Sequence, residues 1–279
     1  MPLTIALIGA AGKMGTRLSP NLRRAGHDVL YCEQGDAGLA RLREQGLEPT
    51  PATEAVPHAD LTILAVPDAA IRAVSADLVP LATPGAAVLL LDPAAAAAGE
   101  VALRDDLHYV VCHPCHPPLF GGQPGETRDW FGGISAPQDI VIALLQGSEE
   151  ALARAGSVCR AMFAPVREAH RITVQQMALL EPAMAEVVAA SAAVLMGQAL
   201  EEAVKAGVPE PAARAFMLGH AQIPLAIVFG AIDSPFSDAA QVAVRWGTER
   251  VVQPDWRRVF EPESVREVID RMLHPEAQA

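Results

Sequence analysis

Along the first part of the chain, short apolar runs alternate with stretches whose apolar residues recur every three or four positions. The runs fall at 3–8, 28–32, 60–66, 86–91, 109–112, 140–145 and 165–168. They read as short strands buried on both faces, the kind that parallel sheets use. Helical spacing lies between them at 16–25 (Leu18 and Leu22 on one face), 36–46 (Leu39 and Leu42 opposite Arg41 and Arg43), 69–79 and 149–162. This alternation predicts an α/β fold with a doubly wound, Rossmann-type parallel sheet, ending near residue 169.

From 171 to 206 the pattern is helical and apolar on nearly every face, with small residues throughout, as in Val187-Val-Ala-Ala-Ser-Ala-Ala-Val-Leu-Met196. Such a helix is buried, either inside a large helical domain or against a second subunit. Further helical patterns follow at 212–230, 238–247 (after a break, with an N-cap at Ser237 or Asp238) and 262–273. Too few strands remain for a second sheet. Residues 170–279 are therefore expected to form an all-α substrate and dimerisation domain, giving a homodimer.

The first strand runs straight into Gly9-Ala-Ala-Gly12-Lys-Met-Gly15 and then a helix. Strand, glycine turn and helix N-terminus make an anion site, because free N–H groups and the helix dipole converge. Gly9 permits the turn, Gly12 lets a pyrophosphate approach, and Gly15 lets helix and strand pack closely; Ala11, Lys13 and Met14 complete the cradle. Glu33 ends the second strand, near the offset of about 20 residues expected for a ribose-binding acid. A carboxylate there accepts from both ribose hydroxyls and repels a 2′-phosphate, so NAD is favoured over NADP. In sheets of this kind ligands sit at the carboxyl ends of strands. Val66, Pro67 and Asp68 are therefore assigned to the cofactor site, and Asp92, Pro93, His113 and His116 should rim the same crevice.

Composition adds exclusions. The formal net charge of −12 argues against nucleic acid or an anionic membrane as partner. The strand at 3–8 is too short for a signal peptide, and the best apolar run, 187–200, is short for a bilayer and flanked by Glu186 and Glu201. A cytoplasmic enzyme is expected. Cys112-His-Pro-Cys115-His116 matches the redox Cys-x-x-Cys and haem-attachment patterns. Haem attachment needs an exported context, and Cys112 ends a strand, so both matches read as coincidence and Cys112 as core.

Three residues stand out for chemistry. His113 and His116, at His-x-x-His spacing on the crevice edge, precede a turn-rich loop at 117–137 that suits a lid or substrate loop. Glu181 is embedded in Met177-Ala-Leu-Leu-Glu-Pro-Ala-Met184, where Pro182 should bend the helix. An unpaired carboxylate in such surroundings would neutralise, whereas a metal ion or a histidine would keep it charged. Glu186 lies about 140° away around an ideal helix and reads as a capping or interface residue. His220 reads as a core histidine.

The layout also resembles the β-hydroxyacid dehydrogenases, which keep a catalytic lysine at the start of the long helix. The only lysines here are Lys13 and Lys205. A divalent metal held by His113 and Glu181 would polarise the reacting oxygen instead. Imidazole plus carboxylate suits zinc or manganese better than calcium. His116 is then a third ligand, a substrate contact or the base.

The whole layout is similar to the 6-phosphogluconate dehydrogenase-like superfamily. Cys112-His-Pro-Cys-His-Pro-Pro-Leu-Phe120 and Leu180-Glu-Pro-Ala-Met184 resemble its D-apionate oxidoisomerase group. That resemblance implies NAD-dependent oxidation of D-apionate, a branched sugar acid, at C2. Carboxylate migration to the neighbouring carbon would then give 3-oxo-isoapionate. His113, His116 and Glu181 are the expected catalytic residues, with either a metal-bound Glu181 or a free His116 as the base that takes the hydroxyl proton. The rivals are a plain NAD-dependent hydroxyacid dehydrogenase without rearrangement (prephenate-type dehydrogenases share the His-Pro step) and a non-catalytic NAD-binding sensor. A sensor needs neither His113 nor Glu181.

Overall fold

The computed structural model describes residues 2–120 and 128–275. Its strands are Thr4–Ile8 (β1), Asp28–Cys32 (β2), Leu61–Leu64 (β3), Ala87–Leu90 (β4), His108–Pro114 (β5), Gln138–Gln146 (β6) and Val166–Arg171 (β7). They form one sheet in the order β2-β1-β3-β4-β5-β6-β7. From β1 the chain steps one way to β2, then the other way through β3, β4 and β5. The carboxyl ends of β1 and β3 therefore part around a crevice, the binding place in doubly wound sheets.

The first five strands are parallel, β6 runs antiparallel to β5, and β7 is parallel to β6. The sheet is thus mostly parallel, as the doubly wound α/β reading predicts, with an antiparallel step at one edge. A parallel return needs a crossover, and among the described residues between β5 and β6 there is loop and no helix. Residues 121–127 of the expected lid loop lie outside the described residues.

The helices of the sheet unit are Lys13–Arg24 (α1), Asp36–Glu44 (α2), Ala52–Ala55 (α3), Asp68–Leu78 (α4), Ala94–Ala98 (α5), Glu149–Met162 (α6) and Val174–Ala178 (α7). Ile5, Leu7, Ile63, Leu89 and Val110 are wholly excluded from solvent, and Leu18 and Leu22 of α1 pack into the same core. Each such side chain contributes about 1.5–3 kcal/mol. Ser148 caps α6, accepting from the Ala151 N–H at 3.2 Å. These contacts hold the strand ends, and so the crevice, in fixed register.

Two compact units result: residues 1–181 with 266–279, and residues 182–265. The sequence pattern put a break after 169; in the structure α7 packs on α5 and β6 and belongs with the sheet. The second unit holds Ser191–Lys205 (α8), Glu210–Val228 (α9), Asp238–Val251 (α10) and the start of Pro262–Leu273 (α11). Ser237 is the N-cap of α10, accepting from the Ala240 N–H at 3.3 Å.

Residues 174–205 are helical without interruption, and Leu179–Ala190 is wound as a wide π-helix around Pro182. Proline cannot donate and crowds the carbonyl one turn back, so an ordinary α-turn is disfavoured here. By length and composition alone this 32-residue stretch could cross a bilayer, whereas the uninterrupted apolar run at 187–200 is short for one. No residue of α8 is buried. Within the second unit α8 packs on α9, and its remaining apolar side chains stay exposed among the described residues.

Candidate active site

The glycine turn is fixed by close approach. Gly9 has φ +79°, and a Cβ there would run into the Ala65 carbonyl at the end of β3; a Cβ at Gly15 would meet the Gly9 and Ala10 carbonyls. Only glycine lets β1, β3 and α1 come this near. Gly12 is the N-cap of α1 with Lys13 as its first residue, so unpaired N–H groups and an ammonium face the same opening. Glu33, at the end of β2, accepts from the Ala11 N–H at 2.8 Å and from the Gln34 N–H at 2.9 Å. Its side chain fits because Gly38 presents no Cβ to it.

From this turn a cavity of about 500 Å³ runs past Gly12, Lys13, Met14, Val66, Pro67 and Asp68 to Asp92 and His113. The expected cofactor residues at the ends of β1 and β3 and a candidate catalytic histidine thus share one space.

At its far end three side chains converge. In the parallel β4/β5 register Leu90 pairs with Val111. Two residues further on, Asp92 stands beside His113. His113 Nδ1 lies 2.8 Å from the Leu91 carbonyl, which can only accept, so Nδ1 carries a proton and Nε2 is the nitrogen turned toward Glu181. That Nε2 is 3.4 Å from Glu181 Oε2, and Asp92 Oδ2 is 3.8 Å from Nδ1. One donor atom each from Asp92, His113 and Glu181 lies within 4.8 Å of the others. Burial pushes the Asp92 carboxyl above its usual range, against smaller opposing effects of the Ala94 N–H and His113. Two carboxylates brought this close to one imidazole favour a cation or a proton among them. The donor set fits a divalent metal.

The sequence paired His113 with Glu181 and placed Asp92 only on the rim. Its membership in the cluster comes from strand register, for which the Asp-Pro step after an apolar run is the available signal.

His116 takes φ +59°, rare outside glycine. Its Nδ1 donates to the Phe131 carbonyl at 3.0 Å, and its ring meets those of His113 and Phe131 edge-on, with centroids 6.3 and 6.0 Å away. The Arg17 guanidinium of α1 lies over the Phe131 ring at 3.9 Å. One sequence expectation is overturned and another holds. His220, read as a core residue, is exposed in the second unit and stacked on Phe216 at 3.8 Å. All four cysteines are free; Cys112 is buried and Cys115 exposed, so Cys-His-Pro-Cys forms no disulfide.

Residues 122–273 match the family described as phosphogluconate dehydrogenase (decarboxylating) C-term, and residues 4–95 match NADP oxidoreductase coenzyme F420-dependent. The chain is 46% identical over 271 residues to the D-apionate oxidoisomerase of Rhizobium rhizogenes, covering 96% of this chain and 98% of that one. It is 42% identical over 277 residues to the D-apionate oxidoisomerase of Pectobacterium atrosepticum, covering 98% and 97%. A solved structure, a semialdehyde dehydrogenase NAD-binding protein from Cupriavidus necator in complex with calcium and NAD, superposes with TM-score 0.92 at 42% identity. It covers 98% of this chain and 100% of its own.

Proposed function

The chain belongs to the D-apionate oxidoisomerase family, and on that premise we propose that it oxidises D-apionate at C2 with NAD and rearranges the product to 3-oxo-isoapionate. The observation that carries this reading is the single cavity that joins the glycine turn to Asp92 and His113.

Atom balance fixes which group moves. Oxidation removes the C2 hydrogen as hydride and the C2 hydroxyl proton, leaving a ketone beside the tertiary C3 carbinol. When the C3 hydroxyl loses its proton and C3 becomes the new ketone, the migrating group must leave C3. A hydroxymethyl group therefore moves from C3 to C2, and the C2 oxygen regains a proton. The carboxylate stays on C2, so the carboxylate migration expected from the sequence is revised to a hydroxymethyl shift.

When bound, NAD supplies the hydride acceptor, and a divalent cation held by Asp92, His113 and Glu181 supplies positive charge for the C2 and C3 oxygens. The protein's own groups do the rest. Lys13 and the N-terminus of α1 hold the pyrophosphate, and Glu33 holds the adenine ribose. His116 is the base: its Nδ1–H is committed to the Phe131 carbonyl, so Nε2 is the acceptor for the hydroxyl proton. Glu181 belongs to the cation cluster and is the weaker base for it. Two carboxylates with one imidazole suit zinc or manganese. The similar Cupriavidus protein carries calcium, so all three ions enter the test.

The exposed apolar surface of the second unit, including Val194 (61% exposed) and Leu195 (44%), is assigned to a second copy of the chain. Apolar patches of this extent mark association surfaces. Resemblance to NAD-dependent dehydrogenases along the whole chain, with an acidic surface, supports a cytoplasmic enzyme without membrane or nucleic-acid partners.

The test incubates the protein with D-apionate and NAD, follows NADH absorbance, and reads the product's skeleton by ¹³C NMR. Expected are one NADH per product, a hydroxymethyl carbon newly bonded to C2, and loss of turnover in chelator with recovery on adding zinc, manganese or calcium. Absence of NADH with D-apionate overturns the substrate. A product with its original skeleton leaves the plain dehydrogenase, and full turnover in chelator removes the metal.

A further inference from the structure

The turn that receives His116 is itself built around a carboxylate. Asp129, only 8% exposed, accepts through Oδ2 from the N–H groups of Ile134, Ser135 and Ala136 at 3.0, 3.0 and 3.1 Å. The buried Asn21 side chain of α1 donates to the Gly133 carbonyl at 2.9 Å, and to the Met162 and Ala164 carbonyls at 3.2 Å each. Phe131 lies inside the segment so tied, and its carbonyl is the one that receives Nδ1–H of His116. The backbone at His116 is left-handed, with φ +59°. This region is sparsely used outside glycine, and the ring is held by the hydrogen bond to the Phe131 carbonyl. An imidazole presents Nε2 as acceptor only while Nδ1 keeps its proton. Which nitrogen keeps it is set by what the other side of the ring meets.

We propose that Asp129 is a positioning residue for His116: its carboxylate shapes the turn that aims the Phe131 carbonyl at Nδ1, and so keeps Nε2 free to take a proton. The proposal rests on His116 being the base. Asp129 acts by holding one carbonyl, as partners one step removed from a reacting group do elsewhere, at about 10–100-fold in activity.

The test is a double-mutant cycle on the full chain with NAD, D-apionate and divalent metal. His116→Ala is expected to lower kcat by about 10²–10⁴-fold. Asp129→Asn should lower kcat by about 10–100-fold with KM for NAD unchanged, and should cost nothing further in the His116→Ala background. Selective ¹⁵N-histidine NMR of the wild-type protein should show His116 protonated on Nδ1. In Asp129→Asn the Nε2–H form should appear. An unaffected kcat in His116→Ala removes the base, and the positioning role with it. With that effect in place, three results overturn the positioning role alone: kcat within twofold for Asp129→Asn, the same loss in both backgrounds, or an unchanged tautomer alongside lost activity. The wild-type spectrum requires no folded variant, and an Nε2–H signal for His116 there overturns the proposal by itself.

Discussion

Asp92→Asn should make the metal-free protein no less stable than wild type, yet less stable once a divalent cation is added. The substitution keeps shape and keeps an oxygen for the Ala94 N–H, which Asp92 Oδ1 accepts at 2.9 Å in front of α5. A side-chain-to-backbone hydrogen bond of about 0.5–1.5 kcal/mol is thereby retained. What disappears is a charge whose carboxyl is pushed up mainly by burial. The sign follows from linkage. A raised native pKa means the folded state holds the proton more tightly, so the stabilising contribution is complete below the unfolded value of about 3.9. It is lost as pH rises through the native pKa. The variant's advantage should thus grow from acid to neutral pH. With cation at a hundred times its Kd, wild type gains about 2.7 kcal/mol. In a domain of 150–250 residues that is a rise of about 5–11 °C in Tm. If loss of one anionic ligand weakens Kd a hundredfold, the variant gains only about 0.4 kcal/mol under the same conditions. Thermal scans with chelator and with zinc, manganese or calcium should therefore show the order of the two Tm values reverse. A wild-type Tm indifferent to all three ions, or a variant more than about 1 kcal/mol less stable in chelator, a loss as large as that of the hydrogen bond itself, refutes the argument.

Two further outcomes follow from the geometry. Gly9→Ala places a Cβ on the Ala65 carbonyl at φ +79°; left-handed strain and overlap together should cost about 2–5 kcal/mol, read as a lower urea midpoint, and a loss under about 0.5 kcal/mol contradicts the close approach of β1 and β3. Leu195→Glu, on α8, should convert a dimer to a monomer in sedimentation velocity while leaving far-UV circular dichroism unchanged, whereas a wild-type monomer at micromolar concentration contradicts the interface.

Much of the fold could be read directly, because apolar runs and three-to-four spacing report burial one element at a time. β2 was expected at 28–32 and is found at Asp28–Cys32, α6 was expected at 149–162 and is found at Glu149–Met162, and Ser237 caps α10 as its position predicts. The direction of β6 was not legible: strand polarity depends on what the connecting loop does in space, and an apolar run at 140–145 looks the same either way. Pro182 announced a disturbed helix, but not that the chain would answer with a π-helical winding from Leu179 to Ala190.

The sequence by itself put forward the candidate residues: glycines where two backbones nearly touch, an acid at the end of the second strand, His113, His116 and Glu181. Residue type and spacing suffice for that, since they fix the local conformation and the functional groups on offer. Only the tertiary structure decided their company. Asp92 joins His113 because two parallel strands advance in step, and His116 is oriented by a carbonyl fifteen residues away. Pairings of that kind depend on register and loop closure between distant segments, which leave no period in the chain.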